Sequence, residues 1–103
     1  MHIDRTHHID TAESDENGDV DYFYEYDIYR FSEGSMCLFA RSYIDEPDEA
    51  HFLNFSIDGE SQLIVDADLT RPLLVSAKEH LLSEGKVRLH WLSGRGNGYE
   101  PLP

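Results

Sequence analysis

The chain has 103 residues, 40% of them hydrophobic, with a net charge of −13. That length supports one domain with a single core, and the acidity argues against attraction to nucleic acid or anionic membranes. Cys37 is the only cysteine, which excludes an intrachain disulfide and fits a reducing compartment.

The charge is segregated. Residues 1–68 hold 18 acids against three bases, a net of −15, and residues 69–103 hold three acids against five bases, a net of +2. Like charges crowded into one half repel in the compact state, but they attract and steer a cationic partner. No apolar leader follows Met1-His2-Ile3-Asp4-Arg5 and no apolar run reaches spanning length, so the expected location is cytoplasmic.

Residues 1–19 form a polar segment open to disorder, in which Ile3 and Ile9 could anchor a short edge strand. The expected single α+β domain covers 20–103. Asn17-Gly18 signals a turn. Val20–Phe31 alternates with period two, placing Val20, Tyr22, Tyr24, Tyr26 and Ile28 opposite Asp21, Phe23, Glu25, Asp27 and Tyr29. The Tyr/Ile face is expected to cover the core and the Glu25/Asp27 face to be wet. Ser32-Glu33-Gly34-Ser35 turns the chain into a second strand, Met36–Ile44, with Met36, Leu38, Ala40, Ser42 and Ile44 on one face.

The acidic loop Asp45–Glu49 follows, then a strand over His51–Ile57, an Asp58-Gly59 turn and a short strand over Gln62–Ala67. Asp68–Glu84 is a predicted helix: Asp68 or Thr70 caps it, Pro72 fits its first turn and Gly85 stops it. Its apolar stripe is Leu73, Leu74, Ala77, Leu81 and Leu82. Val87–Leu92 is the last predicted strand, followed by a Gly-rich loop and a tail from Tyr99 to Pro103. The expected fold is an antiparallel sheet of four to five strands with one helix packed on one face, in the order β-β-β-β-α-β.

Candidate chemistry is thin. Asp15, Asn17, Asp19 and Asp21 have the alternation of a calcium loop, but Val20 stands where the EF-hand glycine belongs and Tyr26 where its bidentate glutamate belongs. His2, His7 and His8 lie in a segment without a framework for a metal. Cys37 with His51 or His90 is the one conceivable nucleophile pair, and its apolar setting favours a packed thiol. The many acids make any single carboxylate pair uninformative as a catalytic dyad. Gly94-Arg95-Gly96-Asn97-Gly98 follows a strand rather than opening a helix, so it lacks the setting of a phosphate cradle.

The strongest functional signal is aromatic and acidic residues interleaved over Asp21–Asp27. Tyrosine is a favoured interface anchor, and carboxylates pair with Arg or Lys across an interface. These observations point to a small protein-binding domain rather than an enzyme. The expected function is inhibition or immunity toward a basic protein such as a nuclease toxin, whose cleft is built to receive phosphates, with nucleic-acid mimicry as a variant. Neither a cofactor nor a metal is expected. The expected docking residues are Glu25, Asp27, Tyr29, Asp45, Glu46, Asp48 and Glu49. The alternative is a small-molecule or metal-binding domain with a pocket near Trp91 and the 94–98 loop, beside Arg95 and Tyr99. Oligomeric state is not legible.

Overall fold

The structure, a computed structural model, describes residues 1–13, 20–93 and 98–103, and the side chains of all of these except 12, 13 and 20–22. The Asn17-Gly18 turn, most of the Asp15–Asp21 stretch and Gly94-Arg95-Gly96-Asn97 lie outside the described residues.

The fold is α+β: a mostly antiparallel sheet with one α-helix on one face. Among the described residues the strands number seven rather than four or five: β1 His2–Glu13, β2 Val20–Glu33, β3 Met36–Tyr43, β4 Glu49–Ile57, β5 Glu60–Gln62, β6 Arg88–Leu92 and β7 Tyr99–Pro101. The helix α1, Pro72–Ser83, lies between β5 and β6. The spatial order is β1-β2-β3-β4-β6-β7, with β5 also on β4. All neighbours are antiparallel except β4 and β6, which run parallel. A parallel pair needs a long crossover, and the chain from β5 through α1 supplies it. No helix among the described residues is long and apolar enough to cross a membrane.

The extra strands come from the two ends of the chain. The N-terminal segment, expected to hold at most a short strand, pairs with β2 from His2 opposite Ser32 to Glu13 opposite Val20. Tyr99–Pro101, expected as tail, pairs with β6 from Leu92 opposite Tyr99 to His90 opposite Pro101. Neither segment shows strong apolar alternation, because each is an edge strand with little core to cover. Edge pairing is carried by the backbone and the partner strand, which pattern reading does not see.

The core lies between α1 and one face of the sheet. Tyr29, Phe31, Leu38, Ala40, Ala50, Phe52, Phe55, Leu89 and Trp91 from the strands meet Leu73, Leu74, Ala77 and Leu81 from α1, with Ile64 closing one side. This reverses the expected faces of β2. Tyr29 and Phe31 are fully buried and stacked at 6.0 Å, and Asp27 is only 5% exposed, whereas Tyr24 is half exposed. The tyrosines at the start of β2 mislead because β3 pairs with β2 only from Tyr26 onward. Before that point β2 pairs with β1 alone, as a two-stranded ribbon on which Phe23 and Tyr24 are exposed.

A bulge explains a second departure. The β3–β4 register runs from Phe39 opposite Asn54 to Ala40 opposite Phe52, which leaves Leu53 as an extra residue. An extra residue shifts the alternation by one. Phe52 and Phe55 therefore both face the helix, although strict period two puts them on opposite faces.

The linker into the helix also differs from expectation. The strand expected over Gln62–Ala67 ends at Gln62, and Asp66–Thr70 forms a 3-10 turn. Asp68 does not cap α1: its buried carboxylate accepts from the Val65 backbone N–H at 2.9 Å and from Arg71 Nε at 2.6 Å, bracing the turn instead. Thr70 Oγ1 likewise points back to the Ala67 carbonyl. Pro72 opens α1 as expected, and Gly85 closes it with φ of +86°, where a side chain is strained. Leu82 sits on the exposed side of the helix, outside the buried stripe.

Leu81 is fully buried beneath the sheet. Leu81→Ala is expected to cost about 2–5 kcal/mol, read from denaturant melts. A loss under about 0.5 kcal/mol, the range of surface substitutions, would mean that α1 packs by another face.

Candidate partner groove and histidine cluster

Seven residues were expected to dock a partner, and the structure divides them into three groups. Glu25, Asp27 and Tyr29 belong to an ionic network on the helix side of the sheet. Arg5 donates to Asp27 through Nε at 2.9 Å and Nη2 at 2.5 Å. His7 bonds Asp27 through Nδ1 and Glu25 through Nε2, both at 2.7 Å. An imidazole placed between two carboxylates donates from both nitrogens, so it is the charged form. Bonds from Asp27 and then Glu25 hold the His7 pKa above its ordinary value. Burial pushes Asp27 upward, but the bonds from His7 and Arg5 together outweigh it and leave its pKa below the usual carboxylate value.

Tyr29 continues the network to the helix. Its hydroxyl donates to Glu84 at 2.8 Å, and Glu84 also meets His80 at 2.7 Å and Arg5 at 3.5 Å. Burial, with Glu84 as acceptor, raises the Tyr29 pKa far above that of an ordinary phenol. The wet-face expectation for Glu25 and Asp27 is thereby corrected: His7 and Arg5 neutralise them, tying β1, β2 and the end of α1 together.

Asp48 and Glu49 form the second group. Arg88 grips the Asp48 carboxylate through Nε and Nη2 at 2.9 and 3.0 Å and reaches Glu49 at 3.0 Å. The other Glu49 oxygen lies 2.5 Å from His51 Nε2.

Asp45 and Glu46, the third group, are exposed and have no side-chain ion pair among the described residues. They border a groove of about 200 Å³ lined by Phe23, Tyr24, Glu25, Tyr43, Ile44 and Asp45, with Glu46 beside it. Phe23 is 58% exposed, Tyr24 50% and Ile44 44%. The groove exists because the β1–β2 ribbon overhangs the end of β3; the Ile44 N–H donates to the Glu25 carbonyl at 3.0 Å to fix the overhang. Drug-sized ligands take roughly 300–1,000 Å³, so this space suits one or two inserted side chains.

The sheet face opposite α1 carries a row that sequence reading did not assemble. Register sets Ile28, Arg41, His51, His90 and Pro101 side by side across five strands. The His51 and His90 rings lie 5.4 Å apart, and the Tyr99 ring lies tilted 4.7 Å from His51. Arg41 donates to the Tyr99 hydroxyl at 3.0 Å and lies 4.9 Å over the Tyr43 ring. Burial lowers the His51 pKa despite Glu49 beside it. Their 39-residue separation hides the histidine pair, because only the parallel β4–β6 register joins them.

Cys37 is not packed in the core. It sits half-buried on that same outer face, between Ser32 and Ser56, and takes a bond from Arg30 Nη2 at 3.3 Å. Neither His51 nor His90 is its neighbour in the register. His2 and His8 are exposed on β1, bonded to Asp4 and Thr6. Trp91 is buried in the core, and Arg95 lies outside the described residues. Comparison with known protein families, with curated proteins and with solved structures finds no match.

The network has a pH signature. Asp27 has a lowered folded pKa, so its contribution is present above about 3.9 and is lost as pH falls through the folded value. His7 has a raised folded pKa, so its contribution is complete below about 6.5 and is lost as pH rises through the folded value. His51, with a lowered pKa, has the opposite sign to His7, so the useful quantity is the stability difference between wild type and His7→Asn. Denaturant midpoints should show that difference largest below pH of about 6.5, above the acid limb, and shrinking on the alkaline side. A difference independent of pH would mean that His7 is neutral in the fold.

Proposed function

We propose that this chain is an acidic protein-binding domain that neutralises a basic partner, in the manner of an inhibitor or immunity protein against a cationic nuclease. The observation that carries this reading is the groove between the β1–β2 ribbon and the end of β3. There, exposed Phe23, Tyr24 and Ile44 lie beside the exposed carboxylates of Asp45 and Glu46. Exposed aromatic rings are the anchors that hot spots favour, and a rim of carboxylates selects Arg and Lys on the partner.

The charge inventory supports the sign of the partner. Every described basic side chain is already engaged. Arg5, Arg30, Arg71 and Arg88 meet carboxylates, Arg41 meets Tyr99, and Lys78 and Lys86 meet the carbonyls of Pro103 and Pro47. The last three keep their charge, since their acceptors are neutral, but none of the seven makes an ion pair with Asp45 or Glu46 among the described residues. The field at the groove therefore attracts positive charge, and its reach shortens with salt.

The test starts from capture of the partner and its identification, followed by association kinetics at two salt concentrations. Replacing Asp45 and Glu46 by their amides takes the net charge from −13 to −11. This double variant should associate several-fold more slowly than wild type at low salt, the gap closing near physiological ionic strength. Phe23→Ala with Tyr24→Ala should instead speed dissociation, because anchors act on the off-rate. A partner of low pI, or one bound at wild-type rates by both variants, would overturn the reading.

A further inference from the structure

We propose that Glu49, His51 and His90 form a binding site for a divalent first-row transition ion, zinc foremost, with at least one coordination position left for a ligand from outside. The ligand atoms of the three side chains all lie within 4.8 Å of one another. Tetrahedral zinc with bonds of about 2.0–2.2 Å sets its ligands roughly 3.3 Å apart. Side-chain rotation has to draw these atoms together by no more than roughly 1.5 Å to reach that geometry.

Two features beyond proximity fit a cation. First, the scaffold is rigid: His51 and His90 stand opposite each other on paired strands, and Glu49 precedes His51 by two residues on the same face of β4. Sites on strands hold their geometry better than sites on loops. Second, both imidazoles have a buried Nδ1 that makes no hydrogen bond. His51 Nε2 is committed to Glu49, which leaves Nδ1 with the lone pair and nothing to donate to it. Burying such a group without a partner costs stability, and a metal ion satisfies it.

The donor set selects the ion. Two imidazoles and one carboxylate suit Zn²⁺, Fe²⁺, Ni²⁺ or Cu²⁺, whereas Ca²⁺ and Mg²⁺ call for oxygen ligands alone. Three protein ligands leave the metal unsaturated, as in sites that bind an outside molecule. The Tyr99 ring leans against His51 at the edge of this position.

Two guanidiniums oppose a cation. Arg88 holds one Glu49 oxygen but keeps Asp48 when Glu49 turns away. Arg41 has no carboxylate partner among the described residues, and its buried Nε lacks an acceptor there. Removing its charge should therefore strengthen metal binding. An anion site at the same place would be weakened by that change, so Arg41 discriminates the two.

The experiment is titration of the full chain with Co²⁺, read by its visible d–d bands, with Zn²⁺ as competitor. Wild type should bind one equivalent that zinc displaces. His51→Ala and His90→Ala should each weaken binding by at least about tenfold. Arg41→Met should tighten it. Replacing His2, His7 and His8 together by Ala should leave it unchanged. In case the single variants unfold, NMR of the wild-type imidazoles supplies a second reading: one equivalent of Zn²⁺ should shift His51 and His90 and no other histidine. Absence of stoichiometric binding, loss of binding in the triple variant, or inorganic phosphate rather than Zn²⁺ shifting His51 and His90 would each overturn the proposal.

Discussion

The parallel contact between β6 and the start of β4 is the interaction on which the rest of the molecule depends, and two cations hold it in place. The Arg88 backbone N–H donates to the Asp48 carbonyl at 2.9 Å while its side chain grips the Asp48 carboxylate. Lys86, almost fully buried, donates to the Pro47 carbonyl at 2.9 Å. Together they pin β6 to the loop that opens β4. Once pinned, β6 places Leu89 and Trp91 in the core and gives β7 an edge to join. The crossover that α1 provides is closed by the same contact. Without it the helix would be tethered at one end only, and its buried leucines would lack a fixed surface.

This contact also recasts the charge segregation. Fifteen net negative charges in the first 68 residues first suggest a surface built wholly for a partner. Part of that charge is consumed within the fold, because the basic residues after α1 close onto the acidic loop before β4. Glu84, at the end of α1, does the reverse and draws Arg5 and His80 together under Tyr29. Among the described residues, exposed carboxylates in no ion pair include Asp45 and Glu46 near the ribbon, and Glu33, Asp58 and Glu60 at the other end of the sheet. The groove beside Asp45 is distinguished from that second acidic end by its exposed rings.

Local pattern made much of the fold legible. The hairpin of β2 and β3, the buried face of β3, the stripe of α1 and the Leu89/Trp91 face of β6 all follow from periods of 2 and 3.6 with glycine and proline punctuation. The departures have non-local causes. Leu53 is an ordinary strand residue whose bulge appears only in its pairing with β3. Asp27 reads as a surface carboxylate until Arg5 and His7 arrive from β1, more than 19 residues away. The candidate site was legible in part: Asp45 and Glu46 border the groove, and Tyr99 lies at the end of the chain where an alternative pocket was expected. His51 and His90 had no local motif, since their meeting depends on a parallel register across 39 residues.

That register is the central claim, and NMR tests it most directly. In the register described, Ala50 lies beside Leu89 and His51 beside His90, so nuclear Overhauser contacts should join the His51 and His90 rings and also reach the Tyr99 ring. A slip of one residue in a strand turns every side chain to the opposite face. Contacts from His51 to Leu89 or Trp91 side chains in place of His90, or an antiparallel pattern between these strands, would contradict the account. Either result would remove the histidine cluster and the closure of α1 over the sheet together.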